Sequence, residues 1–205
     1  MLIKIDRQEA IEKFPILPLR QYDRKNDIET IRSPKVFANY ILTLPSKSYK
    51  RYQKLLGTQI AFLAENLGYD HLVFLGDVDI PWLKRLDTYE SFQEALRYLV
   101  ANKIGKRFNG ALQVGVHELP GFIENLSWLV RTNGILPYIH FTDSGQNVVG
   151  NICQYGNVHI STKTKAADKR FKGVVTKSEF IYLTDTNCTN RFSKDVAIKG
   201  RSITL

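Results

Sequence analysis

The sequence lacks any long hydrophobic run and holds few cysteines. No stretch approaches the roughly 18 apolar residues that a membrane-spanning helix needs, and the first residues, Met1 to Asp6, lack the hydrophobic region of a secretory signal peptide. We therefore expect a soluble, cytoplasmic protein without a membrane partner. The two cysteines, Cys153 and Cys188, have neither the number of a disulfide framework nor the spacing of a zinc motif, which predicts two buried thiols.

Common nucleotide- and DNA-binding motifs are also missing. No phosphate-binding loop, dinucleotide fingerprint, helix-turn-helix or zinc finger is visible, and there is no internal repeat or low-complexity tract. What is present is the composition of a packed globular protein, with 205 residues of which 43% are hydrophobic and 11% aromatic.

Acidic residues are too few to balance the basic ones. The chain has 29 Lys and Arg against 20 Asp and Glu, a formal net charge of +9. From Lys163 onward there are ten basic and four acidic residues, so this last quarter carries +6. Such a balance indicates either a solvated surface or one that faces a polyanion, most often nucleic acid. The candidate nucleic-acid-binding residues are Lys163, Lys165, Lys169, Arg170, Lys172, Lys177, Arg191 and Lys194.

Aromatic residues are interleaved with these cations. Phe171, Phe180, Tyr182 and Phe192 lie within the basic segment. Because cations neutralise phosphates while rings stack on unpaired bases, the combination predicts binding to DNA or RNA, single strands in particular.

The densest strand and turn signals run from about 136 to 164. Leu136 to Thr142, Asn147 to Cys153 and Val158 to Thr164 read as three strands of an antiparallel meander. Alternation places His140 and His159 on one face, about 10 Å apart across the middle strand. If they line a functional groove, their imidazolium charge below roughly pH 6.5 would add to polyanion binding. The alternative is that one or both are buried and hydrogen-bonded, and then contribute to stability.

The remaining pattern mixes helices with strands. Residues 1–45 are interrupted by prolines and predict an irregular arm or layer, whereas 46–205 predict a single α+β domain. In that domain, helices pack on a largely antiparallel, mixed α/β sheet. The expected elements are a helix from an N-cap at Ser46 to Leu67, a buried strand His71 to Leu75, a helix opened by Asp87 to Glu90, a strand Leu112 to Val116, a helix from Pro120 or Gly121 to Val130, and strands Phe180 to Leu183 and Val196 to Ile203.

Two carboxylates follow the expected strand His71 to Leu75. If the segment is extended, Asp77 and Asp79 point the same way and suit a hard divalent cation, although Gly-Asp-x-Asp-x-Pro is also ordinary turn chemistry. The order of this pair, His159 and Asp185 resembles the archaeo-eukaryotic primases. That resemblance implies Asp77, Asp79 and Asp185 as ligands of Mg²⁺ or Mn²⁺, and His159 as a catalytic residue on nucleotide phosphate.

The two histidine triplets are a further pattern. His140-Phe141-Thr142 and His159-Ile160-Ser161 resemble the His-x-Thr/Ser motifs of two-histidine phosphoesterases. The resemblance implies an acid and a base acting on a phosphodiester.

Three functions therefore remain open. The first is a nucleic-acid-associated protein that binds through its basic C-terminal surface. The second is a divalent-metal-dependent phosphoryl or nucleotidyl transferase, and the third is a non-enzymatic protein that binds a protein partner through the same charges.

Overall fold

The computed structural model describes residues 2–23, 28–83, 90–131, 136, 139–183, 188 and 192. Within these residues the chain forms ten strands and five α-helices. In chain order they are β1 Ile3–Ile5, α1 Arg7–Lys13, β2 Leu19–Asp23, β3 Ile28–Arg32, β4 Ala38–Thr43, α2 Tyr49–Leu67, β5 His71–Leu75, α3 Glu90–Ala101, β6 Ala111–Gly115, a 3₁₀ turn Val116–Glu118, α4 Leu119–Val130, β7 His140–Asp143, β8 Val148–Ile152, β9 Val158–Thr162, α5 Lys165–Val175 and β10 Ile181–Tyr182.

A large antiparallel sheet organises these elements. Eight strands pair in the order β1-β6-β5-β7-β8-β9-β4-β10, and every neighbouring pair is antiparallel. The predicted meander is confirmed as β7, β8 and β9, each shorter than its sequence signal. Strands β2 and β3 form a separate hairpin. The α+β fold expected from the sequence is therefore observed.

One face of the sheet carries helices α2 to α5 and the main core. Phe74, Phe141 and Ile160 on the strands pack in the same cluster as residues of α2 and α4. Helices α2 and α4 approach so closely that a Cβ on Gly57 would lie 2.5 Å from the carbonyl oxygen of Pro120. This contact shows why only a hydrogen atom fits at that point of α2.

Helix α2 begins later than its sequence predicts. The expected N-cap was Ser46, but the helix starts at Tyr49 and is preceded by Ser48, whose side chain makes no capping hydrogen bond. Its end is as predicted, because Gly68 adopts a left-handed conformation with φ of 76°. None of the described helices is long and apolar enough to cross a membrane.

The opposite face of the sheet, called the outer face below, has a smaller core. Val73 and Val149 of the sheet pack there with Ala10, Phe14 and Leu17 from α1 and the segment after it. This layer covers only part of the outer face. Polar side chains of β7, β8 and β9 occupy the neighbouring area.

The first 45 residues are more regular than expected. The expectation was an irregular arm or layer; these residues contribute β1 and β4 to the large sheet, and α1 to a layer over its outer face. The physical reason lies in the prolines, which interrupt the sequence pattern but fall between the elements. Pro15 and Pro18 lie between α1 and β2, Pro34 precedes β4, and Pro45 follows it.

Candidate functional site

A row of polar side chains crosses the outer face. His140 of β7 pairs with Asn151 of β8, which pairs with His159 of β9. Directly paired residues of an antiparallel sheet point to the same face. The two histidines therefore lie on one face with one strand between them, as their alternation predicts. We call His140, Asn151 and His159 the polar row.

Neither histidine of the polar row is readily charged. Burial, followed by the nearby positive charge of Arg20, lowers the pKa of His140 to about 4. Burial also lowers the pKa of His159. Between about pH 6.5 and 4 the imidazole of His140 therefore stays neutral and adds no charge for polyanion binding, which favours the alternative of a buried histidine.

The hydroxyls of the two histidine triplets already have partners. Thr142 Oγ1 donates to the carbonyl oxygen of Val148 at 2.6 Å, and Ser161 Oγ donates to Asn39 Oδ1 at 2.6 Å. These groups hold strands together. The arrangement gives the resemblance to two-histidine phosphoesterases no additional support.

Two sulfur atoms and one imidazole nitrogen meet at the end of the β8–β9 hairpin. Cys188 Sγ lies 2.9 Å from His159 Nε2 and 3.8 Å from Cys153 Sγ. All three ligand atoms lie within 4.8 Å of one another. We call Cys153, His159 and Cys188 the Cys–His cluster. The cysteines are only partly buried, so the prediction of two buried thiols is wrong.

Burial affects the protonation of Cys153. Together with the neighbouring Cys188, which has a smaller effect, burial raises the pKa of the Cys153 thiol to about 12. Cys153 is therefore a neutral thiol at pH 7 when nothing else binds it.

The acidic pair lies at the end of β5, in a turn. Val78 and Asp79 form the turn rather than an extended segment, and Asn109 Nδ2 donates to the carbonyl oxygen of Val78 at 2.9 Å. The segment is therefore the turn that Gly-Asp-x-Asp-x-Pro also predicts, and not an extended strand. Asp77 Oδ2 lies 3.5 Å from a guanidinium nitrogen of Arg20.

Burial dominates the electrostatics of Asp77. It raises the pKa of this carboxyl group, while the charges of Arg20 and Arg7 oppose the shift. Arg7 is held in place by hydrogen bonds from Nη1 to the carbonyl oxygens of Gly76 and Asn109, each 2.9 Å long. Two cations thus lie beside the acidic pair.

The structure does not bring His159 to the acidic pair. Three strand spacings, about 14 Å in all, separate β9 from β5, because β7 and β8 lie between them. Asp185, the third acid of the expected metal site, lies outside the described residues. The metal ligands implied by the primase resemblance therefore stay a prediction.

The basic segment contains a helix that the sequence analysis did not anticipate. Helix α5 buries Ala167, Phe171 and Val175, which recur at four-residue spacing, and Thr164 caps its start by accepting from the backbone N–H of Ala167 at 3.1 Å. The Lys and Arg residues of α5 lie on its exposed side.

Four lysines on and beside α5 are exposed, and their ammonium groups have no hydrogen-bond or ion-pair partner in the described part of the chain. We call them the α5 surface, which consists of Lys163, Lys165, Lys169 and Lys177. The other two described cations are engaged. Lys172 Nζ lies 3.1 Å from Asp168 Oδ2, and Arg170 donates to the carbonyl oxygen of Leu67. Arg191 and Lys194 lie outside the described residues.

Three of the four aromatic residues of the basic segment do not face solvent. Phe171, Phe180 and Phe192 are buried in the core, so the expectation that these three rings stack on bases is wrong, whereas Tyr182 is partly exposed. Phe171 belongs to the buried side of α5, and Phe180 and Phe192 belong to the core around it. Another ring is available, because Phe37 is 52% exposed.

Phe37 lies at the same end of the sheet as the start of α5. Its backbone N–H donates to the carbonyl oxygen of Thr162 at 2.7 Å, one residue before Lys163. Sequence reasoning missed Phe37, since an isolated aromatic residue between β3 and β4 carries no signal of exposure. It also missed the Cys–His cluster, whose only local signal is the spacing of Cys153 and His159 across a hairpin.

The chain was also compared with known proteins. No family model, no curated protein and no solved structure matches it.

Proposed function

We propose that this protein binds nucleic acid through the α5 surface, without reading base sequence. One observation carries the proposal: Lys163, Lys165, Lys169 and Lys177 are exposed cations without an anionic partner among the described residues. Asp168, the acid of the first turn of α5, is buried and paired with Lys172. Positive charge on the outside of this helix is therefore left uncompensated.

A polyanion backbone suits this arrangement. Phosphates spaced along a strand can each contact one lysine, and the counterions they release make binding weaker as salt rises. Lysine ammonium groups act as point charges and carry no base-specific geometry. Phe37 adds an exposed ring on which an unpaired base can stack.

The test is a charge-removal experiment with a matched control. We would measure binding of a fluorescein-labelled single-stranded oligonucleotide by anisotropy across a salt series. The variant is Lys165→Gln/Lys169→Gln, and the control is Lys106→Gln/Arg107→Gln, two exposed cations of the loop before β6. Each pair lowers the formal net charge of +9 by two.

The expected result is a difference in slope as well as in affinity. Each lysine–phosphate contact with a single strand contributes about 0.7 to the slope of log affinity against log salt. The α5 variant should therefore lose about 1.4 from this slope, while the control keeps the wild-type slope. Equal losses in both variants would show only a bulk charge effect, and no binding at low salt would refute the proposal.

The alternative proposal is that the α5 surface binds a protein partner, and the experiment must distinguish this from nucleic-acid binding. An acidic protein surface would use the same lysines for orientation and rate of association. If the α5 variant binds oligonucleotide as wild type does, but loses partners that remain after nuclease treatment of a cell extract, the rival is favoured.

The acidic turn favours a second candidate, metal-dependent phosphoryl transfer. Asp77 and Asp79 lie beside the cationic side chains of Arg7 and Arg20. Carboxylates that hold Mg²⁺ or Mn²⁺ next to guanidinium groups are suited to phosphate oxygens. Calorimetric titration with Mn²⁺ tests this candidate: binding that is lost in Asp77→Asn supports it, and no binding to the wild-type protein rejects it.

A further inference from the structure

We propose that Cys153, His159 and Cys188 form a binding site for Zn²⁺ or another thiophilic divalent cation, with a fourth coordination position left for water or an added ligand. This inference is independent of nucleic-acid binding. Two thiolates and one imidazole are a ligand set that Zn²⁺ uses, and three protein ligands plus water is the coordination of catalytic zinc sites.

One ligand distance already matches a tetrahedral ion, and a second is close to it. With Zn–S about 2.3 Å, Zn–N about 2.0 Å and angles near about 109°, two sulfurs lie about 3.8 Å apart, and a sulfur and a nitrogen about 3.5 Å. The two Sγ atoms are already 3.8 Å apart. The separation of Cys188 Sγ and His159 Nε2 is 2.9 Å, so an ion requires these two atoms to part by roughly 0.6 Å, a small side-chain movement.

Rigid elements hold two of the three ligands. The hairpin end is closed by hydrogen bonds from the N–H of Cys153 to the carbonyl oxygen of Asn157, 2.9 Å, and from the N–H of Gly156 to the carbonyl oxygen of Cys153, 2.8 Å. Gly156 has a positive φ of 89°, which allows the tight return. His159 follows immediately as the second residue of β9, so the hairpin places both ligands together.

Neighbouring contacts bring in the third ligand. Before Cys188, β10 pairs with β4. After it, the ring of Phe192 packs against Tyr49 and Tyr52 at centroid distances of 5.7 and 5.0 Å. Cys188 thus lies between two anchored positions, and an ion would join this part of the chain to the β8–β9 hairpin.

The proton balance of binding is simple. The two thiols release two protons to the buffer, the neutral imidazole donates its Nε2 lone pair, and two thiolates neutralise the charge of the ion. A disulfide is the competing product of the same two sulfurs. It requires an S–S distance of about 2.05 Å and an oxidant that removes two electrons, whereas metal binding requires neither.

The test uses the full chain, reduced and stripped of metal by a chelator, and titrated with Co²⁺. We expect one equivalent to produce a thiolate-to-cobalt charge-transfer band and visible tetrahedral bands, which Zn²⁺ then abolishes by displacement. Loss of an outer-sphere partner already costs about 10- to 100-fold in affinity. Cys153→Ser, Cys188→Ser and His159→Gln should each therefore weaken binding by more than about 100-fold.

Two controls keep the result decisive. His117→Gln removes an exposed imidazole of the 3₁₀ turn and should bind Co²⁺ as wild type does. Alkylation of the reduced wild-type protein with maleimide needs no variant, and Zn²⁺ should slow modification of both cysteines. The proposal is overturned if the reduced protein shows no thiolate band, if binding survives any of the three ligand variants, or if Zn²⁺ leaves both alkylation rates unchanged.

Discussion

Replacement of His140 by glutamine should make the free energy of unfolding fall less steeply as the pH is lowered from about 6.5 towards 4. In the folded protein the pKa of His140 is lowered to about 4, by burial first and by the charge of Arg20 second. In the unfolded chain it is about 6.5. Between these values the unfolded chain binds a proton that the folded protein does not. His140 therefore lowers the free energy of unfolding as the pH falls from 6.5 towards 4, and contributes no pH dependence above that window.

The magnitude follows from the two pKa values. One pKa unit corresponds to about 1.4 kcal/mol. Protonation of the unfolded chain at His140 should cost the wild-type protein about 2 kcal/mol at pH 5 and about 3 kcal/mol at pH 4, relative to pH 7. Glutamine does not titrate, so the His140→Gln variant lacks this loss. A constant difference in stability between the two proteins, from altered packing, does not affect the comparison.

The assay is urea denaturation of wild type and variant at pH 7, 5 and 4. Other groups titrate in this window, including Asp77, whose pKa is raised mainly by burial, and Asp168. Burial alone would raise the pKa of Asp168. Hydrogen bonds from Tyr40, Lys172 and Thr162 outweigh this effect, so the pKa is lowered. Their contributions are common to both proteins and cancel in the difference.

An exposed histidine provides the control for loss of an imidazole. His117→Gln should retain the acid dependence of wild type. If His140→Gln loses stability between pH 7 and 4 as steeply as wild type, His140 is not a buried neutral histidine and the reasoning is refuted.

Three further outcomes are expected. Asp143→Ala should lower the free energy of unfolding by about 3–5 kcal/mol in urea denaturation, because the buried carboxylate accepts four hydrogen bonds in the β7–β8 turn, and unpaired donors cost about 1–3 kcal/mol each. Gly57→Ala should cost about 1–3 kcal/mol, since its Cβ meets the carbonyl oxygen of Pro120. The control is Gly173→Ala, where a Cβ meets nothing within 4 Å. It should be neutral or stabilising by up to about 1 kcal/mol, and thermal melts of the two glycine variants show the difference. Phe37→Ala should weaken single-strand binding by about 1–3 kcal/mol in the anisotropy assay, while Phe37→Tyr retains it. Equal binding by both would exclude stacking on this ring.

Local signals predicted the local parts of the fold. The meander was predictable because its strands and turns are neighbours in sequence, and the carboxylate of Asp143 supports the β7–β8 turn through its hydrogen bonds. Strand β5 was predictable because its apolar run is bounded by turn residues. Helix α5 was not predicted, because Ala167, Phe171 and Val175 give only a short apolar period within a segment dominated by charged residues.

Pairings between distant segments carry no such signal. Strand β4 pairs with β9, more than a hundred residues later. The sequence of neither strand predicts this pairing. The same limit applies to the Cys–His cluster. A hairpin explains why Cys153 and His159 meet, but only the folded chain brings Cys188 to them.

The position of β4 has a consequence for synthesis on the ribosome. This strand, Ala38–Thr43, lies between β9 and β10, so both of its partners are made long after it. At about 5–20 residues per second, the roughly 120 residues from β4 to the end of β9 take about 6 to 24 seconds to appear. Until then Leu42, fully buried in the finished protein, lacks its partner Val158 of β9. The nascent chain therefore exposes an unpaired apolar strand for seconds, the kind of segment that chaperones bind.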